Sequence, residues 1–255
     1  MKNTTKTYVW LLVYGFMVFA PLGLLILMPG QPQRTFWRDF SVALGFGALS
    51  LLGLQFVLTV RCPLMGTVFP LDALYHFHHR ISLITWALAL AHPLILFIHN
   101  PYTLRLLNIF QAPWRARAAV VSLLAMTLLV ISSVWRKPLS LDYEPWRGAH
   151  AVASILAGGL ALYHMFKVAY YSSAPWQRGV WIVLPALWIA LQIYGRLVKP
   201  LMLLQRPYEL QDVIEERGKS WTLVLTPEDH AGMQFNAGQV AWLSIGTSPF
   251  ALRKH

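Results

Sequence analysis

The stretch FHHRISLITWALALAHPLILFIH, residues 77–99, sets four histidines in a run that is otherwise almost wholly apolar. As a helix it is long enough to cross the ~30 Å hydrocarbon core of a bilayer, which takes about 20 residues. An ionisable side chain at that depth is costly, so it marks a function unless packing or a proton path absorbs it. Fold and chemistry both turn on why those imidazoles are there.

The rest of the chain sets the context. Hydrophobic residues make up 56% of the 255 and charged residues only 12%, about half the charged share of an ordinary soluble domain. Further apolar runs at 8–28, 40–60, 118–135, 149–171 and 178–198 bring the expected membrane spans to six. Turn-rich segments such as PGQPQ, HNPYT, RKPLSLDYEPWRG and SSAPWQRG connect them. The first run follows Lys2 and Lys6. It is too long for a signal core and lacks a cleavage motif, so it reads as a span. The net charge of +11 falls between the apolar blocks, where it meets lipid headgroups, and no nucleic-acid partner is expected. Cys62 is the one cysteine, which excludes an intrachain disulfide, an iron–sulfur cluster and a thiolate zinc site. No GxGxxG, P-loop or H-E-x-x-H motif is present.

An even number of crossings places both termini on one side, and the Lys and Arg bias of the connections makes that side cytoplasmic. After Pro200 the sequence turns polar, with β-like runs SWTLVLT and QVAWLSIG around the turn-rich PEDHAGMQFNAG. This tail is too short for a core of its own. The expected fold is therefore an all-α membrane protein, a six-helix bundle over residues 1–200, followed by an incomplete β segment over 201–255.

Spacing gives the histidines a meaning. His78 and His92 are 14 residues apart, 40° short of four full turns, so they share a helix face about 21 Å apart along the axis. His150 and His164, in HAVASILAGGLALYH, repeat the spacing. The third and fifth spans run in the same direction. His78 then faces His150 near the cytoplasmic side, and His92 faces His164 near the other. Each pair suits the two axial positions of a b-type haem, giving two haems stacked about 20 Å apart. His79 is the substitute for His78 in an overwound helix. His76, His79 and His99 lie near the span ends, with interfacial or propionate-side roles. Gly158 and Gly159 give a macrocycle close approach, and Pro93 bends the third span. Arg80 and Arg147 inside, and Lys167 outside, either neutralise propionates or are ordinary positive flanks. Asp72, Asp142 and Glu144 read as solvated loop charges. The plain alternatives, packing histidines or a proton relay, stay open on spacing alone.

These residues resemble a known family. The six spans, the FH…H pair in the third, YEPWRGAH…H leading into the fifth and the tail FNAGQVAWLSIGTSPF are similar to the ferric-reductase-like transmembrane family. That family includes NADPH oxidases and their bacterial relatives. The resemblance covers nearly the whole chain. It implies two bis-histidine haems at His78, His92, His150 and His164, then a cytosolic FAD-binding barrel like that of ferredoxin reductase. It also implies electron flow from NAD(P)H through FAD and the haems to oxygen or a ferric chelate outside. The tail is similar to the first strands of that barrel, with Ala237–Gln239 where the family has a P-G-Q turn and His255 opening an H-P-F-S/T element. Complete FAD and NAD(P)H sites are then expected only in a longer form or in a partner flavoprotein, and the location is the bacterial inner membrane. Two other readings remain: a haem subunit taking electrons from quinol or a separate flavoprotein for a periplasmic reductase, and a non-haem proton channel or transporter. Arg105, Arg115 and Arg117 in the outer connections suit several acceptors.

Overall fold

Each apolar run folds as one helix, because in hydrocarbon every backbone N–H and C=O must be satisfied within the segment. The computed structural model describes residues 2–26, 34–60 and 68–234. Its helices are α1 (Lys2–Ile26), α2 (Phe36–Thr59), α3 (Leu71–His99), α4 (Trp114–Val134), α5 (Tyr143–Val168) and α6 (Pro175–Ile193). All six are long and apolar enough to cross a membrane, the sixth counted on to Leu204. Beyond α6 a single π turn, Tyr194–Val198, leads into the short helix α7 (Lys199–Leu204).

Most helices begin several residues before the apolar run that announced them. Prolines start them: Pro70 and Pro113 precede the first turns of α3 and α4, and Pro175 opens α6, where a missing N–H costs nothing. Asp39, Asp72 and Glu144 lie in first turns, where the helix dipole favours a negative charge. Asp72 and Glu144 are thus helical residues and not loop charges. Asp142 is the N-cap residue of α5. Pro93 lies within α3, which runs on to His99.

Two helical hairpins account for most of the packing. α2 lies along α3 and α4 along α5, while α1 covers α2 and smaller contacts join α3 to α4 and α2 to α5. The helices that carry the histidine pairs, α3 and α5, make little direct contact with each other. One apolar cluster ties the hairpins together: Leu52, Met126 and the fully buried Ala157, with Trp86, Ala89 and Ala125 packed against them. A second gathers Phe46 and Leu49 of α2 with Trp181 and Trp188 of α6. Here Gly53 is required by close approach: a Cβ on it would lie 2.1 Å from the Trp188 indole. Outward faces are apolar and exposed, as at Leu12, Phe16, Val152, Ile155, Ile182 and Val183. Faces of that kind suit lipid, and the chain is an integral membrane protein.

By internal contact the chain divides into Met1–Leu191 and Gln192–His255. In the second unit, β1 (Tyr208–Glu216) and β2 (Ser220–Pro227) pair antiparallel, with a bulge between Leu210 and Asp212. Gly218 and Lys219 take positive φ in the connecting turn, as tight hairpins demand. β2 is the expected SWTLVLT strand. β1 was not expected, because its bulge breaks the period-two pattern. The QVAWLSIG run, Ala237–Gln239, His255 and Cys62 lie outside the described residues.

Candidate functional site

Two histidine levels lie between the hairpins. At one, the rings of His78 and His150 have centroids 6.4 Å apart. At the other, His92 and His164 are 6.5 Å apart. All four are half-buried, whereas His76, His79 and His99 are exposed. Of the two adjacent candidates it is His78, and not His79, whose ring meets His150. Midway along each helix between the levels, Thr85 and Ala157 are fully buried. There the Trp86 indole donates to Thr127 Oγ1 at 3.0 Å, and Ser122 Oγ donates to the Ala157 carbonyl at 2.8 Å. The levels are separated by packed protein.

Hydrogen bonds at Nδ1 settle what each ring can offer. His92 Nδ1 lies 2.8 Å from the Ser41 carbonyl, and His164 Nδ1 lies 2.8 Å from the Arg115 carbonyl. A carbonyl only accepts, so both rings carry their proton on Nδ1 and keep Nε2 as an open lone pair. At the other level Ser133 Oγ gives its one proton to the Leu129 carbonyl at 2.5 Å. It can then only accept from His150 Nδ1, at 3.4 Å. His78 Nδ1 is buried with no hydrogen-bond partner among the described residues. Trp146 packs on the His150 ring at 5.1 Å.

This geometry fits the axial positions of a haem. A ligating imidazole nitrogen sits about 2 Å from its metal and about 1.1 Å from its own ring centre, so two rings flanking one iron have centroids about 6 Å apart. Both observed spacings fall close to that value. Among the described residues no three His, Cys, Asp or Glu side chains gather around a common point. Each level thus offers two nitrogens, and a metal held there needs the rest of its coordination from elsewhere, as a porphyrin supplies. The scant contact between α3 and α5 leaves the imidazoles to reach across the interval themselves.

The other candidates fare unequally. Arg147 is ion-paired with Glu144 at 2.7 Å, three residues earlier on α5. Arg80 and Lys167 are exposed, and Lys167 Nζ lies 5.8 Å from the Tyr163 ring centre. Arg117 donates to the carbonyls of Ala112 and Phe110, and Arg105 lies over Tyr102. A Cβ on Gly158 would meet Phe56 of α2 at an ordinary 3.6 Å and one on Gly159 would meet open space, so close approach requires neither glycine. Sequence reasoning missed Ser41, Gly45, Ser133 and the Arg115 carbonyl. They lie on α2 and α4, and the spacing within α3 and α5 carries no sign of them.

No curated protein matches the chain. Residues 44–162, which span most of α2, all of α3 and α4 and most of α5, match the family model described as ferric reductase like transmembrane component. His78, His92 and His150 fall inside that segment, and His164 lies two residues beyond its end. The resemblance therefore holds for this membrane segment, which is ferric-reductase-like and points to oxidoreductase chemistry and electron transfer across the membrane.

Proposed function

We propose that the two levels hold two b-type haems, one between His78 and His150 and one between His92 and His164, and that the chain serves as a transmembrane electron conduit. The observation that carries this reading is the matched centroid spacing, 6.4 and 6.5 Å, at two heights on the same pair of helices. Bound haem supplies a reversible one-electron centre. The chain's own residues aim the imidazoles, fix their tautomers and, through the Leu52–Met126–Ala157 cluster, close the space between levels to water.

The electron donor in this reading is a flavin module on the cytoplasmic side, with FAD and NAD(P)H bound by a longer form of the protein or by a partner flavoprotein. The β1–β2 hairpin stands where such a module would begin, as the first part of a segment 201–255. The acceptor is oxygen or a ferric chelate on the opposite face, in a bacterial inner membrane with both termini cytoplasmic. Arg80 and Arg147 near one level are the candidate cations for propionates.

A reduced-minus-oxidised spectrum of the purified chain, expressed with haem supplied, tests the proposal. Two b-type haems per chain are expected, and His92→Ala or His164→Ala should each remove one and spare the other. A haem-free protein would overturn it, as would loss of both haems from every single variant.

A further inference from the structure

α2 carries none of the paired histidines, yet it touches one of them closely. Ser41 is fully buried. Its hydroxyl donates to the His92 carbonyl at 2.7 Å and lies 2.9 Å from His92 Nδ1, whose proton also reaches the Ser41 carbonyl at 2.8 Å. One turn further on, a Cβ at Gly45 would stand 3.3 Å from both Cγ and Nδ1 of the same imidazole. Residues i and i+4 share a helix face, so Ser41 and Gly45 together form a socket. Glycine makes room for the ring, and serine takes hold of its nitrogen and its backbone.

We propose that Ser41 is a positioning residue, which with Gly45 fixes the tautomer and aim of His92 and thereby lowers the reduction potential of the metal centre at that level. The inference rests on the haem reading above. An acceptor at Nδ1–H makes the imidazole a stronger donor through Nε2, which favours the ferric state. His92 has two such acceptors on one residue. At the other level Ser133 Oγ approaches His150 Nδ1 at 3.4 Å, and His78 Nδ1 is buried with no hydrogen-bond partner among the described residues. Formal charge does not offset the difference. The Arg115 guanidinium near His164 is exposed, and Arg147 at the other level is both exposed and paired, so solvent screens each.

The test is a spectroscopic redox titration of the full chain with both haems bound. Ser41→Ala should raise one of the two one-electron transitions by about threefold to tenfold in the ferrous-to-ferric ratio, tenfold being about 59 mV. The other transition should stay in place. Ser41→Thr, which keeps the hydroxyl, should return the shifted transition toward wild type. Gly45→Ala presses on the ring without touching the hydroxyl and should move the same transition; it decides the matter if Ser41→Ala does not accumulate. Equal movement of both transitions, or movement of neither, overturns the proposal even where two haems are present. A chain that binds no haem fails the earlier reading instead.

Discussion

The two histidine levels are built from the same residue types at the same pitch, yet they are supported by different means. At the His92–His164 level both Nδ1 protons go to backbone carbonyls, at 2.8 Å each, from the first turns of α4 and from near the start of α2. At the His78–His150 level a hydroxyl lies 3.4 Å from His150 Nδ1 and the Trp146 indole packs on the same ring. A helical carbonyl has a second lone pair beyond the one its own helix uses, so a neighbouring helix can orient an imidazole without spending a side chain. The lesson is that equal spacing along one helix does not make two sites equivalent. The flanking helices differentiate them.

That contrast can be broken or sharpened by substitution. The largest expected effect is at Gly53, between the levels, where an added Cβ would overlap the Trp188 ring. Gly53→Ala should cost about 1–3 kcal/mol of stability, seen as a lower melting midpoint, with both levels weakened alike. A loss confined to one level would show that the levels fold separately. Gly159→Ala, with nothing within 4 Å, is the matched control and should not destabilise.

A smaller effect is expected at the His92–His164 end, where Tyr171 donates to Asp39 Oδ1 at 2.6 Å and pins the start of α2. Burial, reinforced by the bond to Asp39, pushes the Tyr171 phenol above its ordinary range. The folded state thus favours the protonated form. Its contribution is complete below the unfolded value near 10 and declines as pH rises beyond it. Tyr171→Phe should cost about 0.5–1.5 kcal/mol and flatten the alkaline limb of a stability–pH profile. The smallest effect belongs to the opposite end. Glu144→Gln removes the ion pair with the half-exposed Arg147 and should cost about 0.2–0.5 kcal/mol, a difference that shrinks in high salt.

Much of the fold was legible because hydrocarbon leaves the chain few choices. Six long apolar runs became six helices, and an exact 14-residue repeat survived boundary errors of several residues, since pitch is independent of where a helix begins. Boundaries were misjudged where polar first turns, as in YEPWRG before His150, belong to the helix they appeared to precede. Phase favoured His78 but left His79 as its substitute; the ring contact with His150 belongs to His78. Ser41, Gly45 and the Arg115 carbonyl were illegible, because the register between neighbouring helices is set by packing and no pattern within α3 or α5 encodes it. β1 was hidden by its bulge.

The pairing of α2 with α3 and of α4 with α5 bears on how the molecule is made. Each hairpin can enter the bilayer and close on itself as the ribosome delivers it, with its two imidazoles already at the correct heights. Neither half holds a complete clamp. Maturation is then the joining of two finished jaws, and a hairpin that fails to insert forfeits both grips at once, whereas a single lost imidazole forfeits one.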